Sequence, residues 1–193
     1  MDPGQRWDAR YRERDASEAQ PCAVLSAYRH LLPREGTALD LAGGLGGNAR
    51  LLAEHGLRTE LWDCSAVAVD KVNELAAARD LPLRALQLDI EHGTLPDRRF
   101  DVVVASHFLY RERMPEYLDL LAPGGLLYWQ TWTRETATPG SGPANPAWRL
   151  AANELLHLCG GLRLLAYREE GLAGDLQQGL RGQAWIVAQR TCP

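Results

Sequence analysis

The stretch Leu39-Asp40-Leu41-Ala42-Gly43-Gly44-Leu45-Gly46-Gly47-Asn48-Ala49 constrains this chain more than any other. An apolar, strand-like run over Thr37–Ala42 breaks into four glycines among five positions, then restarts as a helical pattern at Asn48. Glycine has no Cβ and tolerates positive φ, so such a turn bends sharply and lets a ligand come close to the backbone. The helix after it offers unpaired N–H groups to a polar or anionic group. Strand, glycine turn and helix in that order imply an α/β chain that holds a nucleoside-containing cofactor at the turn.

The rest of the chain can be read around that turn. Gln5 to Asp15 is charged, with Trp7 and Tyr11 one helical turn apart on a shared face. The spacing predicts a second helix over Glu18–Leu32, stopped by Pro33 and Gly36, so residues 1–35 form an N-terminal helical flap. Residues 36–132 alternate strand and helix. Helix Asn48–His55 leads to strand Arg58–Asp63, then to a helix N-capped by Ser65 and running to Arg79. Leu83–Leu88 is a third strand, and the β-branched run Phe100–Ala105 is a fourth and central one. A helix from Met114 to Leu121 ends at Pro123-Gly124-Gly125, before a fifth strand over Leu126–Trp132. Residues 133–147 hold three prolines, three threonines and two glycines without a period, which reads equally as a lid loop or a disordered connector. Residues 148–193 add a helix over Trp148–Leu158 and two strands, Leu162–Glu170 and Gln183–Arg190, that pair antiparallel. The expected fold is one α/β domain over 1–193. It is a doubly wound, mostly parallel sheet of about seven strands with the last one antiparallel, and helices cover both faces.

Composition enters by exclusion. A net charge of −4 lacks the basic footprint that phosphate binding leaves, which argues against nucleic acid as partner. Four cysteines stand far apart with no Cys/His cluster at zinc spacing, so no metal is expected and the thiols read as reduced. No apolar run approaches the roughly 18 residues of a membrane span. A soluble, cytoplasmic protein acting on a small molecule, as monomer or homodimer, is the expectation.

In an open parallel sheet, ligands sit outside the carboxyl ends of the strands. Those ends are Ala42–Gly47, Asp63-Cys64, Asp89-Ile90, Ser106-His107 and Thr131–Thr133. Asp63 lies 19 residues past Gly44, where a carboxylate can accept hydrogen bonds from both hydroxyls of a ribose. Asp89 is a natural acceptor for an exocyclic amine of adenine, with the Ile90 N–H reaching a ring nitrogen. Gly44-Leu45-Gly46-Gly47-Asn48-Ala49 also fits the dinucleotide fingerprint G-x-G-x-x-[GA] literally. Against a nicotinamide enzyme stand about 35 residues ahead of the glycine strand, the terminal strand pair, and little room for a catalytic domain.

Taken together, these residues resemble the class I S-adenosylmethionine-dependent methyltransferases over most of the chain. Asp40-Leu41-Ala42-Gly43-Gly44-Leu45-Gly46 looks like that family's D-x-G-x-G-x-G loop, departing at Ala42 where glycine is usual. Asp63 is similar to the family's ribose-binding acidic residue, with Cys64 beside the adenine, and Gln87-Leu88-Asp89-Ile90 to its adenine-contacting segment. Phe100-Asp101-Val102-Val103-Val104 and Leu121-Ala122-Pro123-Gly124-Gly125-Leu126 resemble its fourth strand and the turn before the fifth. Trp7-Asp8-x-Arg10-Tyr11-Arg12 and the segment from Glu154 to Glu170 look like the tellurite-resistance methyltransferase type.

The resemblance implies S-adenosylmethionine as cofactor, held by Asp40, Ala42, Gly43, Gly44, Gly46, Asn48, Asp63, Cys64, Asp89, Ile90 and Ser106. It also implies methyl transfer to a small molecule, a thiol or a chalcogen oxyanion such as tellurite. Trp7 and Tyr11 would close over the cofactor, a ring face near the sulfonium, and Arg12 would pair with its methionine carboxylate. His107 is the candidate general base because its ordinary pKa lies near neutrality, and Tyr110 and Arg111 would position an anionic substrate. His30, His55, His92 and His157 read as surface residues. A nicotinamide-dependent oxidoreductase and a non-catalytic S-adenosylmethionine-binding module remain the alternatives.

Overall fold

The computed structural model describes residues 3–192. Seven strands form one sheet: β1 (Thr37–Leu41), β2 (Arg58–Asp63), β3 (Leu83–Gln87), β4 (Phe100–Ser106), β5 (Leu121–Trp132), β6 (Arg163–Glu169) and β7 (Gln183–Gln189). Their spatial order is β3-β2-β1-β4-β5-β7-β6. β1 to β5 pair in parallel, while β7 runs antiparallel to both β5 and β6. The expected strand count, parallel core and single reversed strand are all present. The order turns around between β1 and β4, so the ends of these two strands form the switch point at which such sheets bind ligands.

Alternation along the central strands divides the core. Leu39 and Leu41 of β1, Val103 and Ala105 of β4, and Leu127 and Trp129 of β5 face one side. There they meet Met114 and Tyr117 of α5 (Met114–Asp119) and Leu155 of α6 (Glu154–Leu158). Ala38, Val102, Val104 and Tyr128 face the other side, under Val24 and Leu25 of α2 (Ala23–Ala27) and Leu52 of α3 (Gly47–Glu54). α4 (Ala66–Ala78) covers β2 and β3 through Val69, Val72 and Ala76. With both faces covered, the strands can be apolar throughout, as Phe100–Ala105 is.

Four expectations need correction. The helix over Glu18–Leu32 is not formed. Pro21 has no N–H to give and disfavours helix in the residue before it, so α2 begins only after Cys22. Helical turns at Ala16–Glu18 and Arg29–Leu31 flank it. The helix over Trp148–Leu158 shrinks to α6, because Arg149 is extended (φ −122°, ψ 140°) and Leu150 bridges to Thr133. Pro123-Gly124-Gly125 does not end a helix. It bulges out of β5, whose register with β4 jumps from Phe100↔Leu121 to Val102↔Leu126. His55, placed at the surface, buries Nε2 without a partner.

The C-terminal half of α1 (Pro3–Tyr11) is docked on the first half of α4. Asp8 Oδ1 accepts from Ser65 Oγ at 2.6 Å and from the Val67 N–H at 3.1 Å, at the start of α4. Lys71 Nζ donates to the carbonyls of Tyr11, Arg12 and Arg14 at 3.0, 2.7 and 2.6 Å. The chain's only lysine thus neutralises the carbonyl end of α1, where a cation is favoured. Ser65 caps α4 as expected, accepting from the Ala68 N–H at 3.1 Å.

Candidate active site

The glycine turn closes at the carboxyl end of β1, with Gly44 at φ 52° and Gly46 at φ 75°. Two aspartates hold it. Asp40 is fully buried. Its Oδ1 accepts from Asn48 Nδ2 at 3.1 Å and its Oδ2 from the Ala49 N–H at 3.0 Å, so its carboxylate caps the first turn of α3. Burial outweighs those donors and pushes its pKa up to about 7. Asn48 also donates to Ser106 Oγ at 3.0 Å and accepts from the Cys22 N–H at 2.8 Å. Asp40, Asn48 and Ser106 therefore form a connected network beneath the turn, linking β1, α3 and β4.

Asp63, at the end of β2, is 6% exposed. Oδ2 accepts from the Gly44 N–H at 2.8 Å and Oδ1 from the Ser65 N–H at 2.9 Å. A carboxylate has about four acceptor positions, so two remain for further donors. Tyr11 lies over the same place: a Cβ on Gly44 would meet its hydroxyl oxygen at 2.7 Å. Burial, and then the neighbouring Asp63, raise the Tyr11 pKa, keeping it neutral. Trp7 stacks on Tyr11 with centroids 5.5 Å apart and planes 18° from parallel. A Cβ on Gly43 would lie 2.6 Å from Leu61 and 2.8 Å from the Asp40 carboxyl carbon. The turn, the carboxylate with open acceptor positions, and the aromatic cover are a donor set suited to a ribose and the groups on either side of it.

Further along the edge, burial and then Asp63 raise the pKa of the half-buried Cys64 thiol to about 12. Asp89 Oδ1 accepts from the N–H groups of Glu91 and His92, both at 3.0 Å, which shapes the turn that carries Ile90. The Ile90 carbonyl is taken by Tyr117 Oη at 2.9 Å and Arg113 Nη1 at 2.9 Å.

Beyond β4, His107 is held at φ 56°, a left-handed conformation unusual for a bulky residue. Its N–H donates to the Gln130 carbonyl at 2.8 Å. Its ring stacks on Trp132 at 5.0 Å, and burial lowers its pKa, so the imidazole is neutral at physiological pH. The loop after β5 also packs on Trp132, where a Cβ on Gly142 would lie 2.7 Å from the indole. Arg149 ties that loop down, donating to the carbonyls of Pro143 (2.8 Å), Thr133 (3.0 Å) and Ser141.

Three residues sit elsewhere than their expected roles require. Arg111 is committed to Glu154 (Nε–Oε1 2.6 Å, Nη2–Oε2 2.9 Å) and to the carbonyls of Arg149 (2.8 Å) and Ala147, so it clamps the loop. Tyr110 directs its hydroxyl to Glu112 at 3.2 Å. Arg12 is exposed beyond the end of α1 and lines a groove with Lys71, Glu74 and Ala78, away from the glycine turn. A cleft of about 620 Å³ lined by Gly36, Arg58, Asp101 and Gln189 opens at the opposite end of the sheet and has no part in this edge. Sequence reading missed the roles of Asp8, Lys71, Gln130 and Arg149; a lone lysine in an arginine-rich chain was the one signal available.

Residues 38–125 match a family model described as a methyltransferase domain. No curated protein matches the sequence. Among solved structures, TehB from Haemophilus influenzae superposes with a TM-score of 0.70 at 22% identity, over 96% of this chain and 67% of that one. An S-adenosylmethionine-dependent methyltransferase from Mesorhizobium loti gives 0.66 at 19% identity, over 91% and 100%. The [4+2]-cyclase SpnF gives 0.67 at 20%, over 88% and 79%. At these identities the likeness speaks for the fold, which also carries chemistry other than methylation. The family match covers a little under half of the chain: residues 38–125 resemble a methyltransferase domain, and the chain as a whole shares the class I fold of S-adenosylmethionine-dependent methyltransferases.

Proposed function

We propose that the domain methylates a small-molecule acceptor that arrives protonated, a thiol foremost, with His107 as general base. When bound, S-adenosylmethionine supplies a methyl group on a positively charged sulfur, open to in-line attack by a nucleophile. Asp63 takes the ribose hydroxyls, the Asp89-Ile90 turn takes the adenine edge, and Trp7 and Tyr11 exclude water above the glycine turn. The acceptor's S–H proton passes to a ring nitrogen of His107, leaving a thiolate as the nucleophile.

The observation that carries this reading is His107 itself: held at φ 56° at the switch point and stacked on Trp132, with burial lowering its pKa. A base is useful only for an acceptor with a proton to lose. The commitment of Arg111 to Glu154 removes the cation expected for a chalcogen oxyanion such as tellurite, which favours the thiol. Four cysteines outside any disulfide fit a reducing, cytoplasmic setting. No helix among the described residues is long and apolar enough to cross a membrane.

His107→Asn tests the reading, because Asn tolerates the left-handed backbone. With aliphatic thiols as acceptors, kcat/KM should fall about 100-fold or more at neutral pH. The wild-type profile should lose activity as pH drops through the His107 pKa, below 6.5, and the variant should lack that limb. Equal thiol methylation by variant and wild type would remove His107 from the mechanism.

A further inference from the structure

The Asp63 carboxylate and the aromatic side chains above it are both referenced to α4. At the start of that helix the Ser65 N–H donates to Asp63 Oδ1 at 2.9 Å, while Ser65 Oγ donates to Asp8 of α1 at 2.6 Å. The Val67 N–H donates to the same Asp8 oxygen at 3.1 Å. Lys71 lies four residues past Val67, on the same face one turn along, and reaches the end of α1. Its Nζ donates to the carbonyls of Tyr11, Arg12 and Arg14 at 3.0, 2.7 and 2.6 Å. An ammonium has three N–H donors, so this set uses all of them. The carbonyls close a nine-residue helix, whose last C=O groups lack partners within it. A helix this short is marginal by itself, so its placement depends on what it is fastened to. Tyr11 belongs to both contacts. Its carbonyl is held by Lys71, and its hydroxyl lies over Gly44, where an added Cβ would meet it at 2.7 Å. Gly44 in turn gives its N–H to Asp63 at 2.8 Å.

We propose that Lys71 is a positioning residue for the cofactor: by gathering three carbonyls at the end of α1, it sets the Tyr11 ring over the glycine turn and the Asp63 carboxylate, with Trp7 stacked on it. The inference rests on Trp7 and Tyr11 covering S-adenosylmethionine at that turn, and it names the side chain that holds the cover closed. With Lys71 removed, α1 keeps the Asp8 hydrogen bonds one turn back from Tyr11. The cover is then docked for only part of the time, and the apparent affinity for the cofactor falls with the docked fraction.

The test is a double-mutant cycle on S-adenosylhomocysteine affinity, measured by titration calorimetry on the whole protein. Lys71→Met keeps an unbranched side chain of similar length and removes every donor. It should weaken binding about tenfold, as Tyr11→Ala should. In the Tyr11→Ala background the same substitution should change the affinity by about twofold or less, because the group through which it acts is gone. Lys71→Arg, which can donate to more than one of the carbonyls, should bind within about threefold of the wild type. Urea unfolding midpoints check that each variant is folded. If Lys71→Met does not fold, Lys71→Gln takes its place and the same comparisons decide. Wild-type affinity in the lysine variant, or losses that multiply in the double variant, would overturn the positioning role and leave the cover in place. An affinity indifferent to Tyr11→Ala would overturn the cover, and the role of Lys71 with it.

Discussion

Ala42 is the residue at which the glycine loop departs from its usual composition, and its backbone lies at φ 55°. An L-residue in that region crowds its Cβ against the following carbonyl, at roughly 1–2 kcal/mol. Ala42→Gly should therefore raise stability in urea by about 0.5–1 kcal/mol, after the added freedom of glycine in the unfolded chain offsets part of the gain. No change, or a loss, would mean that packing of the methyl beside the β1 core outweighs the strain. This conflict was legible in the sequence as a single discordant letter. Its partner was not: His107 shares the left-handed conformation, and nothing in Ala105-Ser106-His107-Phe108 announces it. Arg111 was misread for a similar reason. An arginine next to a strand end looks like a substrate ligand until Glu154, 43 residues later, is seen to occupy it.

At the scale of elements, the hold of β1 on α3 depends on a buried carboxylate. The Asp40 pKa rises from 3.8 in the unfolded chain to about 7 in the fold, so its ionised form is the less favoured one when folded. Its contribution to stability is fully present below about pH 4 and is lost as pH rises through about 7. Measured against Asp40→Asn, whose side chain does not titrate, the wild type should lose relative stability between those limits and level off above them. A stability difference independent of pH would show that the Asn48 and Ala49 donors fully offset burial. Elements set by local rules were readable: Ser65 as a cap, β2 to its exact residues, β4 from its β-branched run. Elements set by distant partners were not. The α6 region looked continuous with Trp148, yet Leu150 is pulled into a bridge with Thr133, and Pro21 limits α2 more than its apolar spacing suggests.

For the whole molecule, strand–helix alternation predicted a parallel sheet and the lack of a helix between the last two strands predicted the reversed strand, because those features follow from chain connectivity. The sheet order then brings the β1, β2 and β4 ends together, which is why Asp63, the glycine turn and His107 share one edge although 44 residues separate Asp63 from His107 in the chain. The docking of α1 through Asp8 and Lys71 lay outside what periodicity can show, since it joins side chains to backbone across two helices. The central claim is that this edge holds S-adenosylmethionine through Asp63. Titration calorimetry with S-adenosylhomocysteine and with NADH on the wild type and on Asp63→Ala tests it most directly. Loss of hydrogen bonds to a charged acceptor, each about 1.5–3 kcal/mol, predicts micromolar binding of S-adenosylhomocysteine, at least about tenfold weaker in the variant, and no heat with NADH. Binding of NADH without S-adenosylhomocysteine, or an affinity indifferent to Asp63, would contradict it.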